Sequence, residues 1–120
     1  MQLSSVTVNA PRPDDLAHFY AGITGGQVTY SDGTFATMKC PGGRIDFQFV
    51  EDYVPPRWPE PSTVALLHLD FLVEDLAGEA RRVEAAGARR AEFQPNSDHC
   101  LVFLDPVGHP FCLTTLDEMN

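Results

Sequence analysis

His68 and Asp70 stand two residues apart in LLHLDFLVEDL, residues 66–76. In an extended strand that spacing puts both side chains on one face. Histidine exchanges protons near neutral pH, and a carboxylate beside it suits general acid–base chemistry. Three other stretches offer polar side chains at the same period of two: Ser5, Thr7 and Asn9 in SSVTVNA, Asp46 and Gln48 in RIDFQFV, and Cys112 and Thr114 in PFCLTTL. Asp46 could join His68 and Asp70 in moving protons. The remaining members of the set are hydrogen-bonding groups suited to holding a ligand. Trp58 is the only tryptophan, in VPPRWPEP. With Pro55, Pro56 and Pro59 it would form an aromatic lid over a ligand, or pack a crossover onto a sheet edge.

The elements that position these residues are written twice. LSSVTVNAPRPDDLAHFYAGITGG spans residues 3–26, and LLHLDFLVEDLAGEARRVEAAGA spans residues 66–88. Each opens with an alternating strand, carrying Val6 and Val8 in one case and Leu69, Phe71 and Val73 in the other. Each then shows an acidic pair and a leucine, Asp14-Asp15-Leu16 and Glu74-Asp75-Leu76. Carboxylates there cap free N–H groups and suit the helix dipole. Apolar stripes at helical spacing follow: Leu16, Phe19, Tyr20 and Ile23, then Leu76, Ala80 and Val83. Both helices end at glycine, Gly25-Gly26 and Gly87. Short strands come next: 27–30, 35–39 and 44–50 in the first half, and 90–93, 100–104 and 110–116 in the second. Turn residues separate them.

Each half is therefore β-α-β-β-β. The predicted fold is α+β: two such modules form a shared cup-shaped sheet, with helices outside. Module 1 covers residues 1–50, an ordered proline-rich crossover 51–64, and module 2 covers 65–120, all within a single domain. Helix-facing residues would be Val6, Val8, Ile45, Phe47, Phe49, Leu69, Phe71, Val73, Phe111 and Leu113. Ser5, Thr7, Asn9, Asp46, Gln48, His68, Asp70, Cys112 and Thr114 would face the cup. A polar concave wall of this kind suits a small-molecule ligand.

This organisation resembles the glyoxalase-like and bleomycin-resistance-like proteins of the vicinal oxygen chelate superfamily. The resemblance is carried by LLHLDFLVEDLAGEARRVEAAGARR, the closing VFLDPVGHPFCL, DDLAHFYAGITGG and RIDFQFVEDYVPPRWPEP, which with the strands between them cover nearly the whole chain. It implies the two-module fold and a small-molecule ligand or substrate. Metal-using relatives place histidine or glutamate at four points, which here hold Ser5, Asp46, His68 and Cys112. His68 keeps the type, Asp46 is a shorter carboxylate, and Ser5 and Cys112 depart. The implied function is a metal-independent or atypical isomerase- or lyase-type enzyme with no cofactor favoured. If a divalent metal is held, the mixed set is Asp46, His68 and Cys112, all acceptable zinc ligands. The other alternative is a protein that sequesters a drug or metabolite. Relatives build the cup within one chain or between two, so a homodimer is among the expected states.

Composition narrows the field. The chain has 120 residues, a length suited to one domain. Its formal charge is −9, with 17 acidic residues against 8 Lys and Arg. That balance excludes the basic footprint of a nucleic-acid binder and disfavours anionic membranes. Three cysteines without a CxxC pair argue against a disulfide framework. Residues 1–10 lack the basic head and apolar run of a signal peptide, so a cytoplasmic location is expected. No phosphate loop, nucleophile elbow or dinucleotide fingerprint occurs.

Overall fold

The computed structural model describes residues 1–58 and 67–116. Its secondary structure runs β1 (Val6–Ala10), α1 (Pro13–Thr24), β2 (Gln27–Ser31), β3 (Phe35–Cys40), β4 (Gly43–Phe49), β5 (Leu69–Leu72), α2 (Leu76–Ala85), β6 (Arg89–Arg90), β7 (Cys100–Leu104) and β8 (Pro110–Thr114). The fold is α+β, with the β-α-β-β-β unit present twice. The two mixed sheets have equivalent strand orders, β1-β4-β3-β2 and β5-β8-β7-β6. In each, the first strand runs parallel to the last and the other pairs are antiparallel. The chain divides into two compact units, Met1–Val54 and Pro55–Asn120. The division falls in the proline-rich crossover, of which residues 59–64, with Pro59, lie outside the described residues.

In the first unit α1 buries Leu16, Ala17, Phe19, Tyr20 and Ile23. The sheet meets them with Ala36, Met38, Ile45 and Phe47. Tyr20 stacks on Phe47 with centroids 5.8 Å apart. His18, between the apolar positions, is exposed as its place in the stripe requires. The acidic pair of α1 does not cap it: the N-cap is Arg12, with Pro13 opening the helix and Asp14 and Asp15 inside the first turn. There the carboxylates act on the dipole instead. The second helix does follow the expectation, since Asp75 is its N-cap and accepts from the Gly78 N–H.

The helix ends rest on glycine for two separate reasons. Gly25 holds φ at 76°, a left-handed conformation that suits glycine. Gly26 lies so close to the Lys39 carbonyl and the Met38 sulfur that a Cβ would collide with both.

In the second unit Phe111 forms the centre of the apolar face. Phe103 stacks on it at 5.8 Å, Phe71 meets it edge-on at 6.0 Å, and Ala80 and Val83 of α2 are buried. The Asp105-Pro-Val-Gly turn joins β7 to β8. The buried Asp105 carboxylate accepts from the Val107 and His109 N–H groups, and Gly108 takes φ 96°. His109 is thus a turn residue.

Two expectations need correcting. The strand expected over 90–93 is only Arg89–Arg90. One further ladder bond runs from Ala91 N–H to the Val102 carbonyl. Beyond it the Gln94 side chain replaces the backbone, donating to the Val102 carbonyl at 2.9 Å and accepting from the Val102 N–H at 2.8 Å. The second correction concerns Phe49, expected to pack against the helix. It ends β4 and is 48% exposed.

Candidate functional site

Opposite the apolar face of the second sheet, the register sets Asp70 beside Cys112 and Cys112 beside Val102. Asp70, Cys112 and Val102 therefore form a row across β5, β8 and β7. Cys112, Val102 and Ala91 make a small buried cluster, with Trp58 and Cys100 packed against it. Trp58 thus packs against Val102 and Cys112 of the two central strands and against Ala91, just beyond the edge strand β6. Its indole N–H donates to the Phe93 carbonyl at 3.3 Å, which fixes the ring. His68 immediately precedes β5 and meets that ring edge-on, with centroids 6.3 Å apart.

His68 Nδ1 lies 3.0 Å from Asp70 Oδ1, and the two side chains are 37% and 54% exposed. Ligand atoms of His68, Asp70 and Cys112 all lie within 4.8 Å of one another. Cys112 is 5% exposed. Burial pushes its thiol pKa up, and the neighbouring Cys100 and Asp70 push it in the same direction. Without a metal it is a neutral S–H group. Thr114 is paired with Leu72, and its hydroxyl accepts from the Leu116 N–H at 3.0 Å. His99 is exposed, and its carbonyl accepts from Thr115.

The polar face of the first sheet is assembled differently. Asp46 is buried, with its side chain 3% exposed, and Arg44 grips it with both arms. Arg44 Nε donates to Oδ1 at 3.0 Å and Nη2 to Oδ2 at 2.8 Å. Ser5 Oγ donates to Oδ2 at 2.9 Å. The hydrogen bonds from Arg44 are the main reason the carboxyl is held below its ordinary value; burial opposes them, and Thr37 and Ser5 help. Thr7 pairs with Asp46 across the strands. Gln48 donates to Asn9 at 3.1 Å. Ser5, Asn9, Asp46 and Gln48 therefore share one face, the side that the period of two assigns them.

Of the sequence-derived set, the second unit brings together His68, Asp70, Cys112 and Trp58, and the first brings together Ser5, Asn9, Asp46 and Gln48. Three neighbours were missed. Arg44 is legible in hindsight, two places before Asp46 on the same strand. Thr37 and Cys100 needed the antiparallel registers, which set Thr37 opposite Asp46 and Cys100 diagonal to Cys112.

The four positions that hold metal in vicinal oxygen chelate relatives can be tested against this geometry. Ser5 and Asp46 do not fit a cation: a guanidinium already takes both carboxylate oxygens, and the serine hydroxyl donates to one of them. His68 and Cys112 do fit, with Asp70 as the third donor.

A glyoxalase-like domain profile matches residues 5–114. The chain belongs to this glyoxalase-like family, within the vicinal oxygen chelate superfamily. Among solved structures it is similar to the oxidase ChaP-H2, at 25% identity and TM-score 0.69, over 96% of this chain and 93% of that one. It is also similar to a variant of the fosfomycin resistance protein FosX from Listeria monocytogenes, solved with Mn(II) and 1S,2S-dihydroxypropylphosphonic acid. That likeness has 18% identity and TM-score 0.71, over 95% of this chain and 89% of that one. A glyoxalase/bleomycin resistance protein/dioxygenase family enzyme from Burkholderia phytofirmans PsJN shares 17% identity at TM-score 0.72, over 94% and 97%. No match is found among curated proteins. No helix among the described residues is long and apolar enough to cross a membrane.

Proposed function

We propose that the chain is an enzyme acting on a small molecule at the polar face of the second sheet, in an isomerase- or lyase-type reaction driven by proton transfer. The observation that carries this reading is the 3.0 Å contact between His68 Nδ1 and Asp70 Oδ1. A carboxylate accepting from Nδ1–H holds imidazole in the tautomer whose Nε2 has a free lone pair. That nitrogen can take a proton from one substrate atom and return it to another, so an isomerisation needs no further reactant. Trp58 offers the flat apolar wall against which a substrate would rest. Asp46 sits in the first unit, closed in its ion pair with Arg44, and serves that sheet rather than the reaction.

If a divalent metal is bound, His68, Asp70 and Cys112 would hold it, and it would supply Lewis-acid polarisation of a substrate oxygen. The FosX relative solved with Mn(II) and the three converging ligand atoms support this second reading. Elemental mass spectrometry on tag-free protein purified without added metal separates the two readings. Near-stoichiometric metal, lost in His68→Ala, would replace the proton-transfer account.

The test of proton transfer is His68→Ala on turnover and on ligand affinity. Turnover should fall about 10²- to 10⁴-fold, the usual weight of a positioned acid–base group. Affinity should change only a few-fold. A variant that weakens binding alone, or changes nothing, removes His68 from the chemistry. The former outcome would favour a sequestering protein in which Trp58 and His68 form a binding wall.

A further inference from the structure

We propose that Arg44 and Lys39 form a receptor for a small oxyanion of the phosphate class on the polar face of the first sheet. This goes beyond the proton-transfer reading: neither residue has a part in it, and no residue of the second unit is involved.

Asp46 fixes Arg44 in place. Its side chain is 3% exposed and takes parallel hydrogen bonds from Arg44 Nε at 3.0 Å and Nη2 at 2.8 Å. Ser5 Oγ adds a further donor to the same carboxylate at 2.9 Å. A guanidinium presents more N–H donors than one carboxylate can take up. Here the side edge is given to Asp46, and the Nη1 and outer Nη2 hydrogens form a second fork. Arg44 has no other hydrogen bond or ion pair among the described residues. Its side chain is 39% exposed, so the second fork is open to a ligand. A buried carboxylate behind an arginine is thus what orients it for bidentate capture of an anion.

Lys39 stands directly opposite Arg44 in the β3–β4 register. It lies on the polar face, because Thr37, two residues earlier, stands opposite Asp46, while Met38 between them is buried among the core residues. Like charges set opposite each other across a sheet repel and destabilise it. Lys39 is exposed and has no hydrogen bond or ion pair among the described residues. An anion between the two side chains turns that repulsion into attraction.

The chain is acidic, yet the other carboxylates of the first unit keep away from this corner. Cys40 opposite Gly43 marks one end of the β3–β4 pair, and Phe35 opposite Gln48 marks the other. Lys39 and Arg44 lie at the first end. Asp32 precedes β3, and Glu51 and Asp52 follow β4, which puts all three at the second end. β1 runs parallel to β4, so Asp14 and Asp15, just beyond it in the first turn of α1, start from that end too. Asp46 alone is near, and Arg44 balances its charge. Lys39 therefore leaves the corner with a net positive charge. A single carboxylate would use both oxygens on the Arg44 fork. A tetrahedral anion of the phosphate class keeps a further oxygen for Lys39 and carries about −1.5 to −2 charge near neutral pH, which suits the pair.

The test is a titration of the whole chain with inorganic phosphate at constant ionic strength, followed by the Arg44 Nε–H resonance and the backbone amides of residues 35–49. A saturable shift is expected, with none from chloride. Phenyl phosphate is the second probe. Tighter binding than inorganic phosphate would mark the group as part of a larger molecule, and weaker binding would mark the free ion; both keep the receptor. Lys39→Gln should weaken phosphate about fivefold, the upper weight of an exposed charge contact. Arg12→Gln, which removes another exposed cation of the first unit, should bind as the parent does. Asp46→Asn is the deciding variant. It removes a negative charge, so a mere positive patch would bind phosphate more tightly. An oriented fork instead loses its anchor, and affinity should fall about fivefold. If that variant loses its amide dispersion, Arg44→Lys takes its place, since it keeps the charge and removes the fork; phosphate should again weaken. Absence of a saturable shift, an equal response to chloride, unchanged affinity in Lys39→Gln or Arg44→Lys, or tighter binding in Asp46→Asn would overturn the proposal.

Discussion

At the residue scale, two carboxylates of similar sequence context end in opposite electrostatic states. Asp46 is enclosed and neutralised, with Arg44 on both oxygens. Asp70 is half open and faces an imidazole and a thiol. A carboxylate whose lone pairs are filled by a guanidinium cannot also serve a substrate; one that keeps an open side can orient a neighbouring base. This contrast leads to a prediction about Asp70→Asn. An asparagine keeps the shape but turns either its acceptor oxygen or its donor NH2 towards the ring, so it no longer enforces the His68 tautomer. Turnover should fall at least about tenfold while KM stays within a few-fold. Steady-state kinetics decide it: a rise in KM at constant kcat would make Asp70 a binding residue instead.

At the element scale, the end of α1 shows how two adjacent glycines perform different tasks. Adding a methyl at Gly25 meets no neighbouring atom, so Gly25→Ala should cost only the left-handed backbone strain, about 1 kcal/mol. At Gly26 the same methyl collides with the β3 backbone, so Gly26→Ala must push β2 away from its partner. It should destabilise the protein by clearly more than Gly25→Ala. Urea denaturation of the two variants side by side tests the order; equal midpoints would mean that the helix–strand junction yields freely. The β6 strand teaches a related lesson. Its alternating residues read as a four-residue strand, yet the Gln94 amide takes over the Val102 backbone after two. A side chain that mimics a peptide group is invisible to strand periodicity.

At the scale of the whole molecule, the carboxyls held below their ordinary values among the described residues both lie in the first unit. Asp32 accepts from the Tyr30 hydroxyl, which is the largest effect on it, and from Thr34 and Phe35, and is held down at about 2. Asp46 is likewise depressed. A carboxyl whose folded value lies below its unfolded one stabilises the fold fully above the unfolded value, near about 4. That contribution is lost as the pH falls towards the folded value, because the unfolded chain binds more protons there. Both groups lie in residues 1–54, so that unit should lose stability first between about pH 4 and pH 2. Amide cross-peaks of residues 1–54 should lose dispersion at a higher pH than those of 67–116, and Asp46→Asn should flatten the pH dependence. Simultaneous loss, or earlier loss in the second unit, would show that other groups govern acid unfolding.

The doubled β-α-β-β-β order, the helix stripes, the turn before the last strand and the side of the sheet on which each polar residue lies were all decided by the sequence. These follow from local periodicity and from residues such as Gly25 and Asp105, whose conformations act over a few neighbours. Tertiary structure decided the company each polar residue keeps. Asp46 meets Ser5 across 41 residues, Trp58 reaches Phe93 across 35, and Cys100 meets Cys112 only through the β7–β8 register. A period of two assigns a residue to a face but says nothing of which strand lies beside it. Pairing across strands is set by burial and turn geometry summed over the whole sheet, and it is that sum which turned one carboxylate into an ion pair and left the other beside a histidine and a thiol.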